Sequence, residues 1–188
     1  GVFMSNPISL KLRRVFFEQK WERSCFFGNP DIPTIYLRII EDDEFFFAQI
    51  NLEEVTKVYN SYLLPNKGML YFFIRMSDYK PIVRYYSKNG YDEDKKARVN
   101  FNNVINSKYD LLTEYRIKFI HSHKKLPCLF LDEETKYEEM FDDEIILLKY
   151  DQRGNPKISL TDGIILFVIR KDDLIQRNYE AVRMIIVH

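Results

Sequence analysis

The chain has 188 residues, of which 46% are hydrophobic, so it can bury a core and is too apolar to be disordered over most of its length. Its 28 basic and 28 acidic residues cancel, which argues against a dedicated DNA- or RNA-binding protein. No apolar run reaches the ~18 residues of a membrane span, and the first six residues do not resemble a signal peptide. We therefore expect a cytoplasmic protein with no nucleic-acid or membrane partner, in which Cys25 and Cys128 are reduced and partly buried.

The first part of the chain alternates strand-like runs with turns. Residues 8–12 alternate apolar and polar side chains, which predicts a half-buried strand. A loop with two prolines follows at 28–33. The apolar runs at 35–40 and 45–50 flank the acidic turn 41–44, and their continuous apolar character predicts strands buried on both faces.

A helix and two further strands are predicted next. Asn51 is expected to cap a helix from Leu52 to about Tyr62, with Glu54 completing a capping box. A proline–glycine turn ends the helix and leads into a strand over 68–75, and another strand is predicted at 82–86.

The middle of the chain is polar and the last part is again rich in strands. Residues 87–103 predict a surface excursion, and residues 109–120 fit a helix face and a strand equally well. Residues 132–140 predict a short acidic helix. Three strands are then predicted, at 145–150, 164–169 and 182–187.

One pattern occurs twice. The triplet Asp42-Asp43-Glu44 precedes an apolar strand, and Asp142-Asp143-Glu144 precedes another one hundred positions later. Each is followed by a glycine-led strand that ends in an arginine. We therefore predict an α+β fold with few helices, in which duplicated β-rich halves pack about a pseudo-twofold axis in a single domain over residues 1–188. The predicted boundaries are about 7–87 for the first half, 88–125 for a variable middle and 126–188 for the second half.

Four segments occur in a fixed order: 24–33, 47–52, 64–73 and 162–174. In this order they resemble the motifs of the YwqG-like family, a bacterial family of unknown function, and the chain is identified as a divergent, shortened member. The resemblance spans about residues 7–75 and 143–187 and leaves the middle unmatched. It implies the fold and a bacterial origin, and it carries no established catalytic residues. Some relatives are suspected to occur beside toxin–immunity genes, which implies a binding role.

Two positions depart from the family pattern. Phe27 stands where the resemblance implies the first glycine of a pair, and Lys149 replaces a glutamine that would mirror Gln49. Gln49 itself interrupts an apolar run, and a buried glutamine must find hydrogen-bond partners in the backbone or in a bound group. We predict that Gln49 is buried and bonded to the backbone near the junction of the halves.

No residue is assigned a catalytic or metal-binding role, and no cofactor is expected. Residues 121–123 and Cys128 could supply three zinc ligands, but no fourth ligand stands at a recognised spacing. The polar residues of the repeated motifs are the candidate binding residues. They are Gln49, Asn51, Arg75, Asp151, Asp162 and Arg170. Arg75 and Arg170 end equivalent strands, where they could flank a central cleft.

The predicted function is that of a non-enzymatic binding or interaction protein with an unknown protein partner, one version being an immunity protein. Its binding surface is expected in the middle segment, residues 87–125, because the shared fold does not demand that segment. The alternative is a hydrolase or other enzyme that uses acidic residues in the cleft between the halves. In that case a carboxyl of one acidic turn would have to be desolvated so that its pKa rises.

Overall fold

The computed structural model describes residues 7–16, 21–87, 96–98, 113–158 and 163–188, with the backbone alone for 96–98. Strands dominate these residues, so the prediction of a β-rich fold with few helices is confirmed. Asp162 and most of the predicted surface excursion lie outside the described residues. Across these ranges, no helix is long and apolar enough to cross a membrane.

The described strands, numbered in chain order, are β1 Ile8–Arg14, β2 Cys25–Phe26, β3 Asp31–Pro33, β4 Glu44–Asn51, β5 Met69–Arg75, β6 Lys80–Tyr86, β7 Lys96–Arg98, β8 Tyr115–His121, β9 Leu129–Asp132, β10 Glu144–Asp151, β11 Ile164–Arg170 and β12 Arg183–Val187. The described α-helices are α1 Leu52–Thr56 and α2 Lys171–Ile175, and two 3₁₀ turns cover Thr34–Arg38 and Tyr179–Ala181.

Ten of the strands form one antiparallel sheet in the order β12-β11-β10-β9-β1-β8-β2-β4-β5-β6. The central pair is β1 and β8, and equivalent strands follow in the same order on both sides. The first strand of each repeat is exchanged, because β1 lies beside β9 and β8 lies beside β2. The edge strands β6 and β12 approach each other, so the sheet is nearly closed. Strands β3 and β7 form a separate two-stranded sheet.

The two halves repeat the same register, which confirms the predicted duplication. In each half the hairpin begins with a glutamate opposite the arginine that ends the next strand. In each half the register also shifts once, at Phe47 in β4 and at Leu147 in β10. A bulge adds one residue to its strand and bends it locally, so its recurrence at positions one hundred residues apart is a strong sign of a repeated unit.

Equivalent backbone hydrogen bonds hold the exchanged strands in place. The N–H of Leu10 in β1 donates to the carbonyl of Cys128 at 2.9 Å, and the N–H of Ile117 in β8 donates to the carbonyl of Ser24 at 2.9 Å. Each bond joins a residue of one repeat to a residue of the other. The halves are therefore interlocked through their central strands as well as packed together.

The shared core consists of side chains from both halves on one face of the sheet. The ring of Phe47 in β4 lies 5.4 Å from the ring of Tyr150 in β10 and 5.2 Å from that of Phe167 in β11. Phe26 lies 4.9 Å from Tyr150. Tilted and edge-on rings at these spacings add to the stabilisation from burial, so the aromatic cluster joins the halves.

Phe27 and Leu131 occupy the same unusual backbone conformation. Each follows the start of an equivalent short strand and has a φ of 58°, in the left-handed region that favours glycine. The glycine that the family resemblance implies in place of Phe27 fits this backbone. A side chain here costs about 1 kcal/mol in backbone strain. The Phe27 ring is fully buried against Phe45, Phe47 and Tyr150, and its packing offsets that cost.

Two predicted elements are wrong. The run 35–40 is not a strand but a 3₁₀ turn, in which Tyr36 packs inward and donates its hydroxyl to the carbonyl of Tyr85 at 2.9 Å. The segment 132–140 is irregular rather than helical. The Asp132 carboxylate accepts the backbone N–H groups of the two residues that follow Glu133, and this local turn competes with helix formation.

The predicted helix after β4 exists but is shorter than expected. It ends at Thr56, whose hydroxyl bonds the carbonyl of Leu52 at 2.7 Å and that of Asn66 at 2.9 Å. The second bond ties the helix end to the chain returning towards β5. The ambiguous segment 109–120 contributes β8, because its apolar residues alternate and face the shared core.

Candidate binding groove

Gln49 is fully buried, as predicted, and its amide is satisfied by protein groups. Its oxygen accepts the N–H of Asp31 at 2.9 Å, and its nitrogen donates to the carbonyl of Arg23 at 2.7 Å and to the Asp31 carboxylate at 3.3 Å. Both partners belong to the first half, and Arg23 directly precedes Ser24, whose carbonyl accepts the N–H of Ile117 from the other repeat. The side chain fastens the loop before β4 onto the sheet.

Asn51 is the N-cap of α1, as predicted. Its side-chain oxygen accepts the N–H of Glu53 at 3.0 Å, and its nitrogen donates to the carbonyl of Glu22 at 2.9 Å. The predicted capping box is wrong, because Glu54 accepts the N–H of Ser24 at 3.0 Å. The N–H of Asn51 donates instead to the hydroxyl of Ser24 at 2.8 Å. Asn51 thus has a structural role at this helix.

Arg75 and Arg170 do not flank one cleft. Neighbouring strands are antiparallel and seven steps separate β5 from β11, so the two strands run in opposite directions. Their ends therefore lie at opposite ends of the sheet. Arg75 pairs with Asp78 at 2.8 Å, and Arg170 pairs with the exposed Asp143 at 3.5 Å. Arg75 also lies four positions along β5 from the residue that pairs with Gln49, so Arg75 and Gln49 are separated by roughly 13 Å.

Asp151 is buried at the end of β10 and is bound by the guanidinium of Arg153 at 2.6 Å. Burial opposes ionisation of this carboxyl, but the hydrogen bonds from the side chain and backbone of Arg153 outweigh it and lower the Asp151 pKa. Asp162, the remaining predicted binding residue, lies outside the described residues. Those predicted residues that are described therefore do not converge on a single site.

Each of the two acidic turns ends in a glutamate whose carboxylate is hydrogen-bonded to an arginine. Glu44 receives two bonds from Arg84 at 2.7 and 3.0 Å, and Glu144 receives two from Arg183 at 2.6 and 2.9 Å. Burial opposes the ionisation of Glu144, yet the bonds from Arg183 and from the Phe141 N–H outweigh it and lower its pKa. The two turns lie at opposite ends of the sheet, because β4 and β10 run in opposite directions.

The suggested zinc ligands have other surroundings. His121 packs its ring 4.6 Å from the ring of Tyr59, and Cys128 is buried. Burial raises the pKa of the Cys128 thiol to about 11. Over the part of the chain that the structure describes, no three histidine, cysteine or acidic side chains are grouped to hold a metal ion.

A groove of about 610 Å³ crosses β1 and β8 and ends against α1 and the turn after it. Six cationic side chains line it: Lys11, Arg13, Arg23, Lys57, Arg116 and Lys118. The remaining lining residues are the carboxylate Glu54 and the apolar Leu12, Val58, Ile117 and Phe119. The sequence analysis did not identify this groove, although β8 lies in the segment 87–125 where it placed the binding surface.

Four of the cations meet in two cross-strand pairs. Lys11 lies opposite Lys118, and Arg13 lies opposite Arg116. The two pairs are two residues apart, so all four side chains project from the same face of the sheet. Directly opposed like charges destabilise a sheet, by a few tenths to about 1 kcal/mol for each pair. The pseudo-twofold axis of the register passes between Lys11 and Lys118.

The cations of the groove have little local compensation. Glu54 is the one carboxylate among the lining residues, and it already accepts the N–H of Ser24. Within the described ranges, no ion pair joins Lys11, Lys118 or the other four lining cations to a carboxylate. The groove is thus a cationic site on a chain whose net charge is zero.

A weak signal for the groove exists in the sequence. Lysine and arginine alternate with apolar residues in both 9–13 and 115–119, so each segment predicts a strand with one cationic face. Sequence reasoning missed the site because nothing local shows that these strands, more than one hundred residues apart, are neighbours.

Fold and groove together define a duplicated antiparallel β-sheet protein with a cationic groove on its pseudo-twofold axis. The chain belongs to the family described as Domain of unknown function (DUF1963), whose sequence model matches residues 24–145. The match includes the middle of the chain, which the motif resemblance left out, and ends just inside β10. No curated protein matches the sequence.

Proposed function

We propose that this protein is a non-enzymatic binding protein that recognises a protein partner through its central groove. The observation that carries this proposal is the set of six cations, four of them in opposed like-charge pairs, with one carboxylate among them. Free energy lost to repulsion in the unbound protein is recovered when a complementary surface binds. Binding at this position also places the partner against both repeats at once.

We further propose that the chain is a YwqG-like protein of a bacterial cytoplasm. An immunity protein that blocks a toxin is one form that such a binding role takes. The motif resemblance at residues 24–33, 47–52, 64–73 and 162–174 supports the YwqG-like assignment, and the family match supports the broader membership. The alternative of an acid-dependent hydrolase has no specific support in the described acidic turns, because Glu44 and Glu144 are each bound by an arginine.

The test is site-specific photo-crosslinking in cells of the source organism. A crosslinking residue replaces Lys57, which lines the groove, or Lys80, which is also exposed but lies on β6 away from it. We expect a protein adduct from position 57 that is lost when Lys11→Glu and Lys118→Glu are added, and no adduct from position 80. Equal adducts from both positions, or an adduct with nucleic acid alone, would contradict the proposal.

A further inference from the structure

We infer that the groove binds an acidic, amphipathic peptide segment of the partner, one that presents carboxylates together with apolar side chains. This inference rests on the proposed function, because it names the chemistry of the partner at the same groove. It is argued from the charge of the groove, from its apolar lining and from the surroundings of its one aromatic residue.

The charge of the groove selects an anion. Lys11, Arg13 and Lys118 are exposed, and the pairs they form across β1 and β8 bring like charges together on one face. Carboxylates placed between the two strands would interact with both members of each pair. In water such contacts contribute most to the association rate and to specificity, so binding should weaken as salt screens them.

The apolar lining selects a ligand that is more than an anion. Leu12, Ile117 and Phe119 alternate with the cations along β1 and β8, so their side chains face the shared core and not the cationic face. Val58, on the turn after α1, is 38% exposed at the same groove. An apolar side chain of a ligand would pack on Val58 and on the aliphatic stems of the lysines and arginines, while their charged ends bind the carboxylates of the ligand.

The surroundings of Phe119 argue against a nucleic acid. Proteins that bind single strands stack successive bases on exposed aromatic rings within a basic channel. Among the lining residues Phe119 is the one aromatic side chain, and it is only 6% exposed because it packs in the shared core. A base therefore finds no ring face to stack on in the described groove, whereas carboxylates and aliphatic side chains find partners.

The experiment measures binding of three labelled probes to the full chain by fluorescence polarisation. The first is a peptide of about twelve residues, roughly 40 Å long when extended, in which glutamate and leucine are separated by serine. The second is the same peptide with every glutamate replaced by glutamine. The third is a single-stranded oligonucleotide of similar length.

We expect the glutamate peptide to bind and the glutamine peptide to bind at least about tenfold more weakly. The double variant Lys11→Glu with Lys118→Glu should weaken binding of the glutamate peptide by a similar factor. The double variant Lys80→Glu with Lys157→Glu, which changes the charge of the protein equally from exposed positions outside the groove, should leave it unchanged. The neutral double variant Lys11→Gln with Lys118→Gln replaces the charge-reversed one if that does not fold.

The possible failures are distinct from those of the proposed function. Equal binding of the two peptides, or no binding of either while crosslinking at position 57 still captures a protein, overturns the acidic-segment inference and leaves the proposed function standing. Tighter binding of the oligonucleotide that the same double variant abolishes overturns both. Absence of peptide binding together with absence of a groove-dependent protein adduct also overturns both.

Discussion

The two halves of the sheet share one register but differ in what covers their outer face. In the first half the loop before β4, including β3 and the 3₁₀ turn, packs over Gln49 and closes a second apolar cluster. At the position equivalent to Gln49 the second half has Lys149, which is half-buried with its amine 5.9 Å from the ring of Tyr137. The same sheet position thus holds a buried, hydrogen-bonded amide in one half and a half-buried cation beside an aromatic ring in the other.

The connections after the equivalent strands β4 and β10 also differ. The first half has α1 there, with Lys57 and Val58 just beyond it, whereas the second half has a turn around Gly154. Helix α1 and its following turn form one wall of the groove. The groove is therefore one-sided although the β1–β8 pair beneath it is symmetric. The one-sided shape of the groove arises from the connections, which differ between the halves, and not from the strand register, which is the same in both.

The largest expected difference between the halves concerns the two bulge residues. Phe47 contacts rings of both halves, whereas Leu147 has no ring to contribute to the aromatic cluster. Phe47→Ala should lower the free energy of unfolding by about 4 kcal/mol and Leu147→Ala by about 1 kcal/mol less, since aromatic pairing adds to the cost of the cavity. Urea denaturation of both variants measures this. Equal losses would show that the aromatic cluster does not join the halves more strongly than aliphatic packing does.

The two glutamate–arginine pairs provide the next comparison. Arg84 is 14% exposed and Arg183 is 41% exposed, while both glutamates are buried. Removing a buried arginine from a buried glutamate costs more stability than removing a half-exposed arginine. We expect Arg84→Met to cost about 3 kcal/mol and Arg183→Met about 1 kcal/mol in denaturant titrations. A larger loss from Arg183→Met would reverse the order that burial predicts.

The amide at position 49 provides a third comparison. Gln49→Ala leaves the N–H of Asp31 and the carbonyl of Arg23 without their buried partner, so it should cost about 2 kcal/mol. Lys149→Ala removes a half-buried side chain that reaches solvent and should change stability by less than about 0.5 kcal/mol. Differential scanning fluorimetry of the two variants measures the difference in melting temperature. An unchanged melting temperature for Gln49→Ala would mean that the covering loop does not depend on this side chain.

The smallest expected effect is a pH dependence that originates at Glu144 in the second half. The folded-state pKa of Glu144 lies below the ordinary value of 4.5. Its contribution to stability is therefore complete above that value and is lost as the pH falls through the folded-state pKa. Arg183→Met leaves the carboxyl buried without its cation and so raises its folded-state pKa, which should shrink or reverse the acid-induced loss of stability from Glu144. Unfolding free energies measured from about pH 6 to about pH 3 test this.

The matched control for the pH series is Lys80→Met, which removes an exposed cation of β6, the strand equivalent to β12. We expect its pH profile to follow that of the unchanged protein. A profile for Arg183→Met that is parallel to the control over the whole range would mean that Arg183 does not set the ionisation of Glu144.

The sequence by itself determined the principal strands and their repetition. The apolar runs at 45–50 and 145–150 follow identical acidic triplets, and long apolar runs between turns have few conformations open to them except strands. The N-cap role of Asn51 could also be predicted, because capping is a contact within one turn of the chain. The shorter helix, and the turn built on Asp132, depended on hydrogen bonds to specific backbone groups that composition does not show.

Only the tertiary structure decided which strands are neighbours. The exchange that places β1 beside β9 and β8 beside β2 joins residues far apart in the chain, and no local pattern encodes such a choice. The cationic groove follows from that exchange, because Lys11 and Lys118 face each other only when β1 and β8 pair. Local propensity fixes whether a segment is extended, whereas the pairing of extended segments is set by the burial of their faces against the rest of the chain.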